Sequence, residues 1–124
     1  KTIIVTDKAP APVGPYSQAV EAGGFLFCSG QVSIDPKTNA VFTGAIEVQT
    51  KMVLENISAV LEKSGLGFQN VVKTTIFLTS MNDFTKVNEV YGSYFTEQPP
   101  ARSTIAVAGL PKGVNVEIEV IAKR

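Results

Sequence analysis

Two hydrophobic periods divide this chain. Between about Gly44 and Ser64 the apolar residues Val48, Met52, Val53, Ile57, Val60 and Leu61 recur at helical spacing, with Gln49, Lys51, Glu55 and Lys63 between them and Gly65 as the stop. A second stripe, Phe84, Val87, Val90, Tyr91, Tyr94 and Phe95, predicts a shorter helix capped by Asn82 or Asp83 and ended by Pro99-Pro100. Elsewhere the period is two. Thr2 to Thr6 reads as a short strand, and Lys8 to Tyr16, with three prolines and Gly14, as a loop that cannot join a ladder. Ser17 to Ala22 and Phe25 to Ser29 flank Gly23-Gly24, a two-residue hairpin signal, and Gly30 closes the second strand. Asp35 to Asn39 makes a turn before Val41-Phe42, and Val71 to Thr79 is a β-branched strand. The order is β, hairpin, α, β, α, hairpin, with no repeat or linker. It predicts one α+β domain over residues 1–124, a single mixed sheet with two helices on one face.

The last quarter of the chain holds the candidate chemistry. Ala101 to Val107 and Val114 to Ala122 alternate on either side of Gly-Leu-Pro-Lys-Gly, which predicts an antiparallel hairpin. With Val107 opposite Val114, the row Ile105, Ser103 and Ala101 meets Val116, Ile118 and Val120, while Thr104 faces Glu117 and Arg102 faces Glu119. A guanidinium and two carboxylates then share the sheet face turned away from the helices. One reading is a solvated cross-strand ion pair, worth about 0 to 1 kcal/mol. The other is a site in which a fixed cation and a base meet. A bare sheet face on so small a domain also predicts self-association.

Composition narrows the chemistry. Eleven Lys plus Arg balance eleven Asp plus Glu, so gross electrostatics do not favour nucleic acid or membrane as a partner. There is no histidine and one cysteine, which excludes Ser-His-Asp and Cys-His dyads, Cys/His zinc sites and an intrachain disulfide. Gly65-Leu66-Gly67 is better read as a helix stop than as a phosphate cradle, so no metal and no cofactor is expected. Cys28 lies in the apolar run Phe25-Leu26-Phe27 and reads as core. Asn56-Ile57-Ser58 fits a glycosylation sequon but falls inside a predicted helix, and reads as chance. No apolar run approaches the ~20 residues of a membrane span, and the N-terminus lacks a secretory core. A cytoplasmic location is expected; without an initial methionine, an organelle reached after loss of a leader stays open.

An ordered set of motifs resembles the Rid family of enamine/imine deaminases, also called YjgF-like proteins. The motifs are A-P-x-x-x-G-P-Y-S-Q-A from Ala9, S-G-Q at Ser29 to Gln31, V-V-K-T-T-I-F-L in the fourth strand, M-N-D-F-x-x-V-N-E-V-Y in the second helix and P-A-R-S onward to the end. The resemblance covers essentially the whole chain. It implies a homotrimer with a chorismate-mutase-like fold and active sites in clefts between subunits. It also implies hydrolysis of 2-aminoacrylate and related 2-imino acids to the 2-oxo acid and ammonia.

Under that resemblance Arg102 grips the substrate carboxylate, for which a planar, permanently charged fork is the best-matched side chain. Glu117, the first Glu of E-I-E, accepts a proton from the attacking water, and Glu119 ranks below it. Tyr16, the backbone at Ser29-Gly30 and Asn88 line the cleft. Many relatives carry cysteine where this chain has Thr104; threonine keeps a hydroxyl and an amide for a ligand contact, and its presence points to water addition rather than covalent catalysis. Three classes of function follow: an imine deaminase, a binding module for small 2-oxo or amino acids, and an RNA-directed ribonuclease or translation inhibitor. Neutral charge, absent histidine and the lack of a basic aromatic patch weigh against the third. Arg102 and Glu117 together favour the first.

Overall fold

A computed structural model describes residues 1–124. The chain forms strands β1 (Thr2–Ile4), β2 (Ala19–Ala22) and β3 (Phe25–Gln31), helix α1 (Ile46–Lys63), strand β4 (Val71–Leu78), helix α2 (Phe84–Tyr94), and strands β5 (Ala101–Ala106) and β6 (Val116–Lys123). All six strands make one sheet in the order β1-β2-β3-β6-β4-β5. Only β4 and β5 run parallel; every other neighbouring pair is antiparallel. Both helices pack on one face, as the α+β reading expects.

The β2–β3 hairpin forms as the sequence predicts. Gly23 and Gly24 have φ of 60° and 81°, the positive pair that lets a two-residue turn follow the strand twist. Helix α1 buries Val53, Leu54, Ile57, Val60 and Leu61 completely against the central strand β6, whose Val116, Ile118, Val120 and Ala122 point to the same side. Each such aliphatic side chain contributes roughly 1.5–3 kcal/mol over its exposed state. Val48, placed in the apolar stripe by spacing, is 45% exposed, whereas Gln49 is fully buried. Gln49 is satisfied by Asn115: its Nε2 donates to Asn115 Oδ1 at 3.0 Å and its Oε1 accepts from the Asn115 amide at 2.9 Å. Neither Asn82 nor Asp83 caps α2 with its side chain; Ser80 instead accepts from the Asn82 amide at the preceding helical turn. Asn56, the sequon asparagine, is buried and donates to the carbonyls of Val32 and Ile34.

The C-terminal hairpin does not form. β5 and β6 lie on opposite sides of β4, and residues 107–115 carry the chain across the end of β4 through a helical turn at Pro111–Gly113. The reason is that β6 lies between β3 and β4 with both of its edges paired, which leaves β5 the outer edge of β4; the helix between β4 and β5 makes that pairing parallel.

Candidate functional site

The strand register divides the expected site residues. On β4, Thr74 pairs with Arg102 and Ile76 with Thr104, and Thr74, Ile76 and Leu78 are buried under the helices. Arg102 and Thr104 therefore lie on the helix side of the sheet. Thr75 pairs with Glu119 and Phe77 with Glu117, which puts both glutamates on the bare side. The expectation that Arg102, Thr104, Glu117 and Glu119 share one face is thus corrected, and with it the Arg102–Glu119 pairing. Three positions along β4 and two strand spacings separate Arg102 from Glu117, about 10 Å by about 9.6 Å, with the side chains pointing to opposite sides.

Arg102 is no cross-strand ion pair. The chain's ion pair is Arg124 with Glu21. The Arg102 Nη1 instead donates to Asn88 Oδ1 at 2.7 Å, and its guanidinium carbon lies 4.9 Å from the centre of the Tyr91 ring and 5.6 Å from that of Phe84. Asn88, off the apolar stripe of α2, faces the arginine rather than solvent alone. Arg102, Asn88 and Tyr91 border, with Gly92, Pro99 and Pro100, an open recess of about 460 Å³. Thr104, near this half, buries a hydroxyl that has no hydrogen-bond partner in the chain.

Glu117 belongs to a second cavity, about 430 Å³, which Tyr16, Ser29, Gly30 and Lys112 also line. Strand β3 carries a bulge there: Cys28 pairs with Val120 and Gln31 with Ile118, leaving Ser29 and Gly30 opposite Glu119. Gly30 lets Glu117 lie across this bulge, since a Cβ would run into the carboxylate, meeting Oε2 and, at 2.8 Å, its Cδ. Burial pushes the Glu117 carboxyl above the ordinary carboxylate range, and the nearby Glu119 adds to the rise. Ser29 spends its donors on the loop: its hydroxyl donates to the Ser17 carbonyl at 2.6 Å and its amide to the Gln18 carbonyl at 2.9 Å. Tyr16 is 54% exposed at the cavity mouth, not packed on the sheet, and its hydroxyl accepts from the Val13 amide at 3.4 Å.

Gln18 and Lys112 were not singled out by sequence. Gln18 is 2% exposed and donates to the carbonyls of Thr6, Ala9 and Pro10, fixing the proline-rich loop that carries Tyr16. Its signal was a glutamine within a strand-like apolar run. Lys112, which also lines the cavity, adopts left-handed backbone, φ 59°. Cys28 is core: buried, with its thiol pushed up to about 12. No three His, Cys, Asp or Glu side chains converge as metal ligands. A further concavity, about 490 Å³ beside α1, contains none of these residues, and neither Arg102 nor Glu117 touches it. The chain therefore presents two separate groups of residues: an arginine held by Asn88 and two aromatic rings, and a glutamate of raised basicity beside a glycine bulge.

The sequence profile described as Endoribonuclease L-PSP matches residues 6–124. A RutC family protein of Pyrococcus horikoshii is 54% identical over 122 residues, spanning 98% of this chain and 97% of its own length. The mouse protein named 2-iminobutanoate/2-iminopropanoate deaminase is 47% identical over 122 residues, 98% of this chain and 90% of that one. The crystal structure of RidA from the Antarctic bacterium Psychrobacter superimposes with a TM-score of 0.96 at 44% identity, over the full length of both chains.

Proposed function

This chain belongs to the endoribonuclease L-PSP family, the YjgF/Rid family, and we propose that within it the chain is a deaminase for reactive 2-imino acids. The observation that carries the proposal is the state of Arg102. Its guanidinium has no carboxylate partner in its own chain, yet it is held by Asn88 and two aromatic rings at the mouth of a recess. An arginine fixed in this way is prepared for a planar anion, and a substrate carboxylate supplies one.

The glutamate half supplies the complementary chemistry. A 2-enamine acid such as 2-aminoacrylate tautomerises to the 2-imine, whose protonated nitrogen makes C2 electrophilic. Water adds to C2 while Glu117 accepts its proton, giving a carbinolamine; return of that proton to nitrogen makes ammonia the leaving group, and as the C–N bond breaks the hydroxyl gives its proton to Glu117, which passes it to the departing ammonia, releasing ammonium and the 2-oxo acid. A carboxylate of raised pKa suits both transfers. Metal and cofactor have no part in this sequence of steps.

Because the two halves face away from each other in one chain, the complete site needs Arg102 from one copy and Glu117 from another. The bare sheet face favours such an assembly: Ile3, Phe27 and Ile105 are each more than 40% exposed there, with Val20, Phe77 and Ile121 between them. We propose a closed homotrimer with three sites between subunits.

A coupled assay tests the activity. A serine or threonine dehydratase generates the imine, and 2-oxo acid release is followed with and without this protein. Release is expected to accelerate, and Arg102→Lys to lose most of the acceleration, since a point charge on a flexible stem cannot fix the carboxylate plane. No acceleration by the parent protein would remove the deaminase reading. That result would leave the non-catalytic alternative, which calorimetry with 2-oxobutanoate would detect.

A further inference from the structure

Arg102 is gripped by one face of a helix, and the grip has a buried support. Phe84, Asn88 and Tyr91 follow one another at spacings of four and three along α2, so ring, amide and ring meet the guanidinium from the same side. Tyr91 differs from Phe84 in what lies behind it. Its hydroxyl and Thr74 Oγ1 are 2.8 Å apart in a hydrogen bond sealed from solvent, with Tyr91 5% and Thr74 1% exposed. Its ring also packs against Phe95 at 4.5 Å between centroids. Thr74 is the residue directly opposite Arg102 in the parallel β4–β5 pair. The sheet position beside the arginine thus fixes the far end of the ring on which the arginine rests.

We infer that Tyr91, locked by Thr74, is a positioning residue for Arg102, setting the guanidinium plane so that the edge not used by Asn88 meets a ligand carboxylate. The inference rests on the reading of Arg102 as carboxylate anchor. An arginine side chain has many rotamers, and binding a planar anion with both of its nitrogens requires one of them. A cation–π platform at 4.9 Å selects that rotamer before the ligand arrives. A platform that rocked about its own Cβ would select less sharply, and the Tyr91–Thr74 bond removes that freedom. Thr74 is an interior residue on this account, with an effect on ligand binding although it touches no ligand.

The experiment measures 2-oxobutanoate affinity by calorimetry, together with KM and kcat for imine hydrolysis, in Tyr91→Phe, Thr74→Val, their double variant and Tyr91→Leu. The two single variants, which keep shape but break the bond, are expected to weaken 2-oxobutanoate binding and raise KM by about threefold each. The double variant should be no worse than either, because the same bond is lost once. Loss of the ring in Tyr91→Leu should weaken binding by about tenfold. If Tyr91→Leu does not fold, the three isosteric variants carry the test. Unchanged affinity and KM in folded variants that merely melt earlier would overturn the inference, as would a double variant whose effect is the product of the singles. The anchor reading fails separately: if parent and Arg102→Lys bind 2-oxobutanoate equally, Arg102 is no anchor and Tyr91 has nothing to position.

Discussion

Glu117 and Glu119 are two residues apart on one strand and face the same side, but of the two it is Glu117 that lines the cavity with Tyr16 and lies against Gly30, where burial raises its carboxyl. That difference predicts unequal roles. Glu117→Gln should lower kcat by roughly 100-fold while 2-oxo acid binding persists. Glu119→Gln should leave kcat at alkaline pH nearly intact but move the acid limb of kcat/KM to lower pH, because it removes the like charge that helps raise Glu117. A limb that stays in place would show that Glu117 is not the titrating base. Stability follows the same pKa with a definite sign. A carboxyl whose folded pKa exceeds its unfolded value of about 4.3 holds its proton more tightly when folded, so the protein loses stability as pH rises through that window. Glu117→Gln should therefore raise the denaturant midpoint at pH 7 and leave it unchanged near pH 3.

At the scale of elements, helix α2 carries three of the groups around Arg102 and also a glycine that the fold does not require. Gly92 lies in the last turn of the helix without positive φ, and a Cβ there would meet nothing within 4 Å. Gly92→Ala is expected to stabilise the protein by about 0.4–1 kcal/mol, through the unfolded chain's lost freedom and helix propensity. Thermal and denaturant unfolding would check it. The elements themselves were legible in sequence: both helices, the Gly23-Gly24 hairpin and the strands fall within a few residues of their periodic patterns. Pairing was not. In Ala101–Ala106 both faces carry small or polar residues, and its largest apolar side chain, Ile105, is 46% exposed, so alternation alone could not say which face meets the helices. The order strand, helix, strand from Val71 to Ala106 did hold the needed signal, since it is the order of a parallel crossover. The site residues were named from motifs, and the structure gathers them into two groups, but their division across the sheet depends on that missed pairing.

For the whole molecule, the bare sheet face is the feature that calls for more than one copy. Ile105 stands at its β5 edge, in the same row as Phe77 and Glu117. Because it is exposed in the single chain, Ile105→Asp should change the fold's own stability by no more than about 0.5 kcal/mol. Burying the new carboxylate between subunits beside two glutamates is unfavourable, so the same variant should sediment as a monomer where the parent sediments as a trimer. Activity should disappear with the assembly. A parent protein that is monomeric at micromolar concentration would leave the two half-sites with no way to meet.

The shared site can be tested directly by subunit mixing. On the proposed trimer, Arg102→Lys and Glu117→Gln each disable one half, so each variant alone should be nearly inactive. Co-refolded from denaturant in equal amounts, they form hybrids in which some clefts pair an intact Arg102 from one subunit with an intact Glu117 from its neighbour. Random assembly gives about one quarter of clefts this composition, so activity should return to about one quarter of the parent level. If both variants refold to trimers and the mixture stays as inactive as its components, Arg102 and Glu117 do not act across a subunit boundary, and the composite site is wrong.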